Sequence, residues 1–162
     1  MKPYIERGHT MKKGFLIMIA LPILLIGCSN SGPTVNDTPA EDLSENASEV
    51  KQVLKRNLQA IQEEDMDAYL ATLVESGRES TKKEIAGFFE DYDMEYELLG
   101  FEILEEEDER IVIEAEQRAT ATYVAEGLSY RDHIARSEQT FVREEGEWRI
   151  AKSEITNTDI IK

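Results

Sequence analysis

One cysteine, one tryptophan and two histidines stand in 162 residues, with 18 Lys and Arg against 34 Asp and Glu. A single cysteine excludes an intrachain disulfide, so the fold must be held by its apolar core. The shortage of cations, a formal net charge of −16, argues against nucleic acid and anionic lipid headgroups as partners, since both repel a polyanion. No apolar run reaches the roughly 20 residues of a membrane-spanning helix, and the longest, Phe15–Cys28, is interrupted by Pro22. There is no Ser/His/Asp order, cysteine nucleophile, P-loop or dinucleotide glycine fingerprint.

What is present begins with an address. The pair Lys12-Lys13 precedes an uncharged stretch that ends in Leu25-Ile26-Gly27-Cys28, the layout of a secretory signal with a small residue before its cleavage point. Its ending resembles the lipobox of bacterial lipoproteins. The resemblance implies cleavage before Cys28, a diacylglycerol on its thiol, and attachment to the outer face of the cytoplasmic membrane, or to an outer membrane in a host that has one. Two acyl chains suffice for durable anchoring where one does not. Met11 is an alternative start to Met1. Removing residues 1–27 takes away four of the 18 cations and one of the 34 acids, leaving 14 against 33, a formal charge of −19. The lipid, not charge, would then hold the protein to its membrane.

Residues 28–44 read as the lipidated cysteine and a tether, because Ser29–Ser44 has too few large apolar residues to repay the entropy of ordering it. A flexible segment of this length reaches on the order of 20 Å. Residues 45–162 are then the single domain, of α+β class: N-terminal helices packed on a curved antiparallel sheet of about four strands.

Val50, Val53, Leu54, Leu58 and Ile61 recur at helical spacing and predict one long amphipathic helix. Asp65 suits the N-cap of a second helix that carries Tyr69, Leu70, Leu73 and Val74 and stops at Gly77. Ser80 or Thr81, with Glu84 as the acid of a capping box, predicts a third helix that buries Ile85, Phe88 and Phe89. From Met94 the period becomes two, predicting strands near 94–104, 110–124, 130–143 and 147–157. Their joints are the acidic turn Glu105–Glu109, Glu126-Gly127 and Glu145-Gly146.

A turn at Glu126-Gly127 predicts that Ile113, Ala115, Gln117, Ala119 and Ala121 lie opposite Phe141, Gln139, Ser137, Ala135 and His133. Leu99, Phe101, Ile103 and Ile150 join them on an inner face under the helices. Glu116 opposite Glu138 and Arg118 opposite Arg136 would form a charged outer ladder in water.

Three helices ahead of the sheet, the DMDAYL opening of the second helix, the FFEDYDMEYEL passage from helix to strand and the closing EGEWRIAKSEI hairpin resemble the nuclear transport factor 2-like superfamily. The likeness covers about residues 45–160. It implies a cystatin-like cone, a curved sheet wrapped around helices, with ligands taken at its open end. That superfamily spans isomerases, dehydratases, transport adaptors and accessory domains of extracellular proteins, so the fold alone does not choose a function.

The inner polar residues Gln117, His133, Ser137 and Gln139, with Tyr69 from the helix side, are the candidate ligand-binding set, and Lys152 and Glu154 join them if the last strand has no bulge. Alanines 115, 119, 121 and 135 leave room for a ligand, or for Tyr69, Phe88 and Phe89 as packing. His133 lacks an orienting partner, since Asp132 points to the other strand face. Trp148 is expected in the core. The Glu105–Glu109 run lacks the alternating ligands and central glycine of a calcium loop, so no metal and no cofactor are expected. Two functions remain: a noncatalytic module binding a small ligand or an envelope protein, or a cofactor-free isomerase or dehydratase using His133 and Glu154. The sequence leaves the oligomeric state open. Cys28→Ala is expected to abolish incorporation of labelled palmitate, and label retained by the variant would contradict the lipobox reading.

Overall fold

The computed structural model describes residues 43–161, so Cys28 and the tether up to residue 42 lie outside the described residues. Three helices, α1 (Glu45–Gln62), α2 (Met66–Ala71) and α3 (Glu75–Asp91), precede four strands, β1 (Tyr92–Glu106), β2 (Arg110–Val124), β3 (His133–Glu144) and β4 (Glu147–Ile160). The strands form an antiparallel meander in the order β1-β2-β3-β4. Among the described residues no helix is long and apolar enough to cross a membrane.

The helix α1 lays Val50, Val53, Leu54 and Leu58 on the inner sheet face, against Phe101, Ile111, Ile113, Phe141, Trp148 and Ile150. Its start is fixed by Ser44, whose Oγ accepts from Ala47 N at 3.0 Å and whose hydroxyl donates to the Glu106 carboxylate. Arg143 ties the same end to the last hairpin: its guanidinium lies 4.6 Å from the Trp148 ring centre and donates to Asn46 Oδ1 at 2.7 Å and Gly146 O at 3.2 Å. Trp148 is core, as expected, with its Nε1 buried and lacking a protein acceptor. The unit Glu41–Lys162 is compact by itself and contains this whole core.

The middle of the chain departs from the sequence pattern. Asp65 does cap α2, accepting from Ala68 N at 2.9 Å, but α2 ends at Ala71 rather than at Gly77. The reason is tertiary: Ile150 N donates to Thr72 O at 2.8 Å and Val74 N to Ile150 O at 3.1 Å, so Leu73 and Val74 are drawn out as a short parallel bridge on β4. The third helix therefore begins at Glu75, with Gly77 inside its first turn and no side-chain cap. Glu144 accepts from Glu75 N at 3.1 Å in place of a cap. Ser80 sits within the helix and donates back to Gly77 O at 3.0 Å, so the box with Glu84 does not form. No residue of α3 is buried; Ile85, Phe88 and Phe89 are only half-covered.

The sheet corrects the expected pairing in two ways. First, the strands β2 and β3 pair two residues away from the expected register, Ile113 with Gln139, Ala115 with Ser137, Gln117 with Ala135 and Ala119 with His133. The connection at Gly127 is an eight-residue loop, 125–132, not a tight turn. A shift of two preserves which side chains face inward, so the inner set survives with new neighbours. On the outer face Glu116 lies opposite Arg136, ion-paired at 2.6 Å, and not opposite Glu138; Arg118 lies opposite Ile134 and pairs with Glu97 of β1.

Second, both outer strands are bulged. Leu99 has no partner between Leu98 and Gly100, so it turns outward, 38% exposed, while Tyr96 and Leu98 face the core with Phe101 and Ile103. Ala151 is likewise unpaired between Ile150 and Lys152. That residue flips the parity of β4, sends Lys152 and Glu154 outward as an exposed pair at 2.6 Å, and turns Ser153 and Ile155 inward. Ile150 does lie opposite Phe141, and Glu145 and Gly146, at φ 54° and 84°, make the two-residue hairpin turn that needs positive φ at both positions. Deleting Ala151 would force Lys152 and Glu154 to the inner face; chemical denaturation of that variant is expected to show a loss of at least about 3 kcal/mol, the order of cost of burying unsatisfied charge.

Candidate functional site

Between the α1–α2 side and the inner faces of β2, β3 and β4 lies a cavity of about 370 Å³. Tyr69, Gln117, His133, Ser137 and Gln139 all line it. Lys152 and Glu154 do not, because of the bulge at Ala151. Four further lining residues escaped the sequence pattern. Tyr96 and Ile155 were hidden by the bulges that reverse strand parity, Ser153 by the same bulge in β4, and Asn57 by its place among the polar positions of α1.

Each wall has its own support. Asn57, 8% exposed, donates from Nδ2 to Thr72 Oγ1 at 2.7 Å, and that hydroxyl donates to Tyr69 O at 2.6 Å. The relay joins α1 to the end of α2 and sets the backbone that presents Tyr69. On β3, Gln139 and Ser137 are two residues apart on one face, and Gln139 Nε2 donates to Ser137 Oγ at 3.1 Å. Both are buried. On β2, opposite Ala135, Gln117 Nε2 is closed off from solvent without a protein acceptor, a donor whose desolvation costs about 1–3 kcal/mol until an acceptor meets it.

His133 opens β3 at the other end of the cavity. Its Nδ1 lies 2.9 Å from Arg131 O; facing a carbonyl, that nitrogen must carry the proton, which leaves Nε2 as the acceptor of the neutral ring. The neighbouring Asp132 is committed elsewhere, its Oδ1 accepting from Ala121 N at 3.1 Å. No carboxylate therefore orients the imidazole. The ring instead stacks on Tyr130, centroids 5.6 Å apart, and the row continues through Tyr92 to Phe88 at 5.6 and 5.3 Å. Phe88 and Phe89 thus sit at the end of an aromatic row and do not fill the cavity.

The phenols stay protonated well above neutral pH. Burial, and then the Glu84 carboxylate, raises Tyr69; burial, with Tyr130 and Tyr69 nearby, raises Tyr96 further. Tyr130 is pushed up to about 12 by burial and then by Asp132 and Tyr92. Outside the cavity, Glu154 is held below the usual carboxylate range by its hydrogen bond and charge pairing with Lys152.

A larger depression of about 530 Å³ lies elsewhere, between α1, α2 and the start of β4, lined by Arg56, Glu63, Glu147 and Arg149 among others. Its charges are of both signs, and Arg149 pairs with Glu147; buried Thr72 and Arg149 Nε also line it, so it differs from the smaller cavity in carrying charge. Among the described residues no three His, Cys, Asp or Glu side chains are grouped to hold a metal ion; in the acidic turn Glu105 pairs with Arg110 instead.

The architecture is shared with solved structures. A ketosteroid isomerase-like protein from Erwinia carotovora atroseptica SCRI1043 is similar at 18% identity and a TM-score of 0.58, over 74% of this chain and 99% of that one. A provisionally assigned scytalone dehydratase from Novosphingobium aromaticivorans DSM 12444 gives 14% identity and a TM-score of 0.60, over 72% and 88%. A protein of unknown function with a cystatin-like fold from Nostoc punctiforme PCC 73102 gives 15% and 0.58, over 69% and 90%. At these identities the likeness is one of fold, and the fold is nuclear transport factor 2-like, or cystatin-like. No curated protein is matched by the chain. The sequence model described as the anti-sigma-I factor RsgI9 C-terminal domain matches residues 52–161. Spanning both the helices that roof the cavity and the strands that floor it, that match makes the chain a member of the anti-sigma-I factor RsgI9 C-terminal domain family.

Proposed function

We propose that this protein is a membrane-tethered extracytoplasmic module that binds a small uncharged molecule in the cavity and performs no chemistry on it. One observation carries the reading: the cavity is walled by hydroxyl, amide, imidazole and apolar side chains, with no Asp, Glu, Lys, Arg or Cys among the residues that line it. General acid–base work needs a proton acceptor placed at the reacting group, usually with a partner that orients it. Here the one imidazole has only a backbone carbonyl behind it. A cavity of this volume lies at the lower end of the roughly 300–1,000 Å³ typical of small-ligand sites.

The tether rests on the Leu25-Ile26-Gly27-Cys28 ending and on the polar stretch Ser29–Ser44. The family's description refers to the C-terminal domain of an anti-sigma-I factor, and we carry over from it only the idea of an accessory domain that serves a larger function. The isomerase-like and dehydratase neighbours keep a second reading in view, in which His133 Nε2 acts alone as base. Glu154, exposed and paired with Lys152, takes no part in it.

Native mass spectrometry of the Glu41–Lys162 unit as purified, compared with its denatured mass, tests the reading: retained small-molecule mass supports it and a bare chain counts against it. Gln117→Leu is expected to reduce that retention while leaving stability unchanged or higher by about 1 kcal/mol, because it removes a buried donor that has no protein partner. For the second reading, any turnover found must vanish in His133→Ala.

A further inference from the structure

We infer that the charged depression between α1, α2 and the start of β4 is a second binding site, which takes a short peptide by its two free ends. It is separate from the uncharged cavity: Asn57 lines the one and Thr72 the other, and their hydrogen bond, at 2.7 Å, stands in the wall between. Its charges are ordered along its length. The bond from Asn57 sets the end of α2 beside residue 57, while Asp65 N, donating to Ala60 O at 2.9 Å, sets the start of α2 beside the end of α1. The short helix therefore runs back along α1. Ile150 N, bonded to Thr72 O at 2.8 Å, brings its neighbour Arg149 to the same end as Arg56.

That end sets two cations against one acid. Arg149 gives Nη2 to the Glu147 carboxylate and Nη1 to Trp148 O at 3.3 Å, and its Nε has no protein acceptor. Arg56 is exposed and stands in no ion pair among the described residues. The far end has the opposite sign. Glu63, exposed and likewise outside those ion pairs, accepts from the neutral Gln59 Nε2 at 2.8 Å. It also caps α1, whose last turn carries no basic residue, and the carbonyls of a helix C-terminus add partial negative charge. Glu63 follows Arg56 by almost two turns, so both lie on one face of α1, roughly 10 Å apart along its axis. Between them Ala60, Ala68 and Ala71 are too small to close the groove, which keeps about 530 Å³. Three extended residues span roughly 10 Å, so a tripeptide can set its carboxylate on Arg56 and its ammonium on Glu63. In a free α-amino acid both charges sit on one carbon and cannot reach the two ends together.

Four probes test this by titration calorimetry on the Glu41–Lys162 unit: trialanine, its C-terminal amide, its N-acetyl form and free alanine, with backbone amide NMR at Ala68 and Ala71 reporting the place of binding. Trialanine is expected to bind and to shift both residues, and each of the other three to bind about three- to fivefold more weakly, the effect of losing one exposed ion pair. Arg56→Gln is expected to bring trialanine and its amide to near parity while the acetyl form stays weaker. Glu63→Gln is expected to do the reverse, removing the preference for a free amine and keeping that for a free carboxylate. Both variants should melt at an unchanged temperature, since both side chains are exposed and outside the ion pairs of the fold. Blocked peptides that bind as tightly as trialanine, preferences that survive in the variants, or no binding at all overturn the proposal. Free alanine binding as tightly overturns the two-ended grip. Shifts at Ser137 and Gln139 in place of Ala68 and Ala71 would put the peptide in the uncharged cavity and overturn the second site.

Discussion

The uninterrupted ladder between β2 and β3 is the constraint on which the rest of the molecule depends. From Arg110–Val142 to Ala119–His133 these two central strands pair without a single shift, and strict alternation then decides every inward residue on both. Phe141, Ile111 and Ile113 become core beneath Leu54 and Val50, and Gln117, Ser137 and Gln139 are carried onto the same face whether or not the core needs them. The outer strands adjust to this pair through bulges at Leu99, Leu104, Ala151 and Thr156, each of which curves the sheet and re-aims the side chains beyond it. The same irregularities help keep the open β4 edge from pairing with another chain.

A face used only for packing would not carry these polar groups. Burying the Gln139–Ser137 pair is tolerable because each satisfies part of the other, and the Asn57–Thr72–Tyr69 relay is closed within the protein. Gln117 Nε2, like Trp148 Nε1 and Arg149 Nε, is closed off without a protein partner, and of the three it alone lines the cavity. Local departures from an otherwise consistent design are expected where function is served, and this one faces a cavity that neither the alanines nor the aromatic side chains of α3 fill. The charge of the molecule is kept elsewhere, on the outer sheet face and the hairpin tips, where ion pairs such as Arg136–Glu116 are exposed and contribute little to stability.

Much of this was legible in the chain. The apolar spacing of α1, the cap at Asp65 and the period-two segments depend on neighbours within a few residues, and each appears in the structure close to its expected place. The inner set of β2 and β3 was legible for a further reason: an error of two in register leaves the facing of every side chain intact. What was hidden depends on contacts distant in sequence. The early end of α2 is set by Ile150, far along the chain from Tyr69, so Gly77 misled as a stop signal. The bulges at Leu99 and Ala151 follow from fitting edge strands to a curved partner, and neither residue type announces one; Tyr96, Ser153 and Ile155 were lost to the site with them, and Lys152 and Glu154, expected there only if the last strand ran without a bulge, fall outside it.

The central claim is that the cavity is uncharged and holds a hydrogen-bond donor, Gln117 Nε2, that no protein group answers. Side-chain amide NMR of Gln117 in the Glu41–Lys162 unit, before and after adding a small-molecule extract of the cells that make the protein, tests it most directly. The account predicts a resolved, slowly exchanging NH₂ pair that moves when the extract is added. A rapidly exchanging pair at the position of a solvated glutamine, indifferent to the extract, would contradict it.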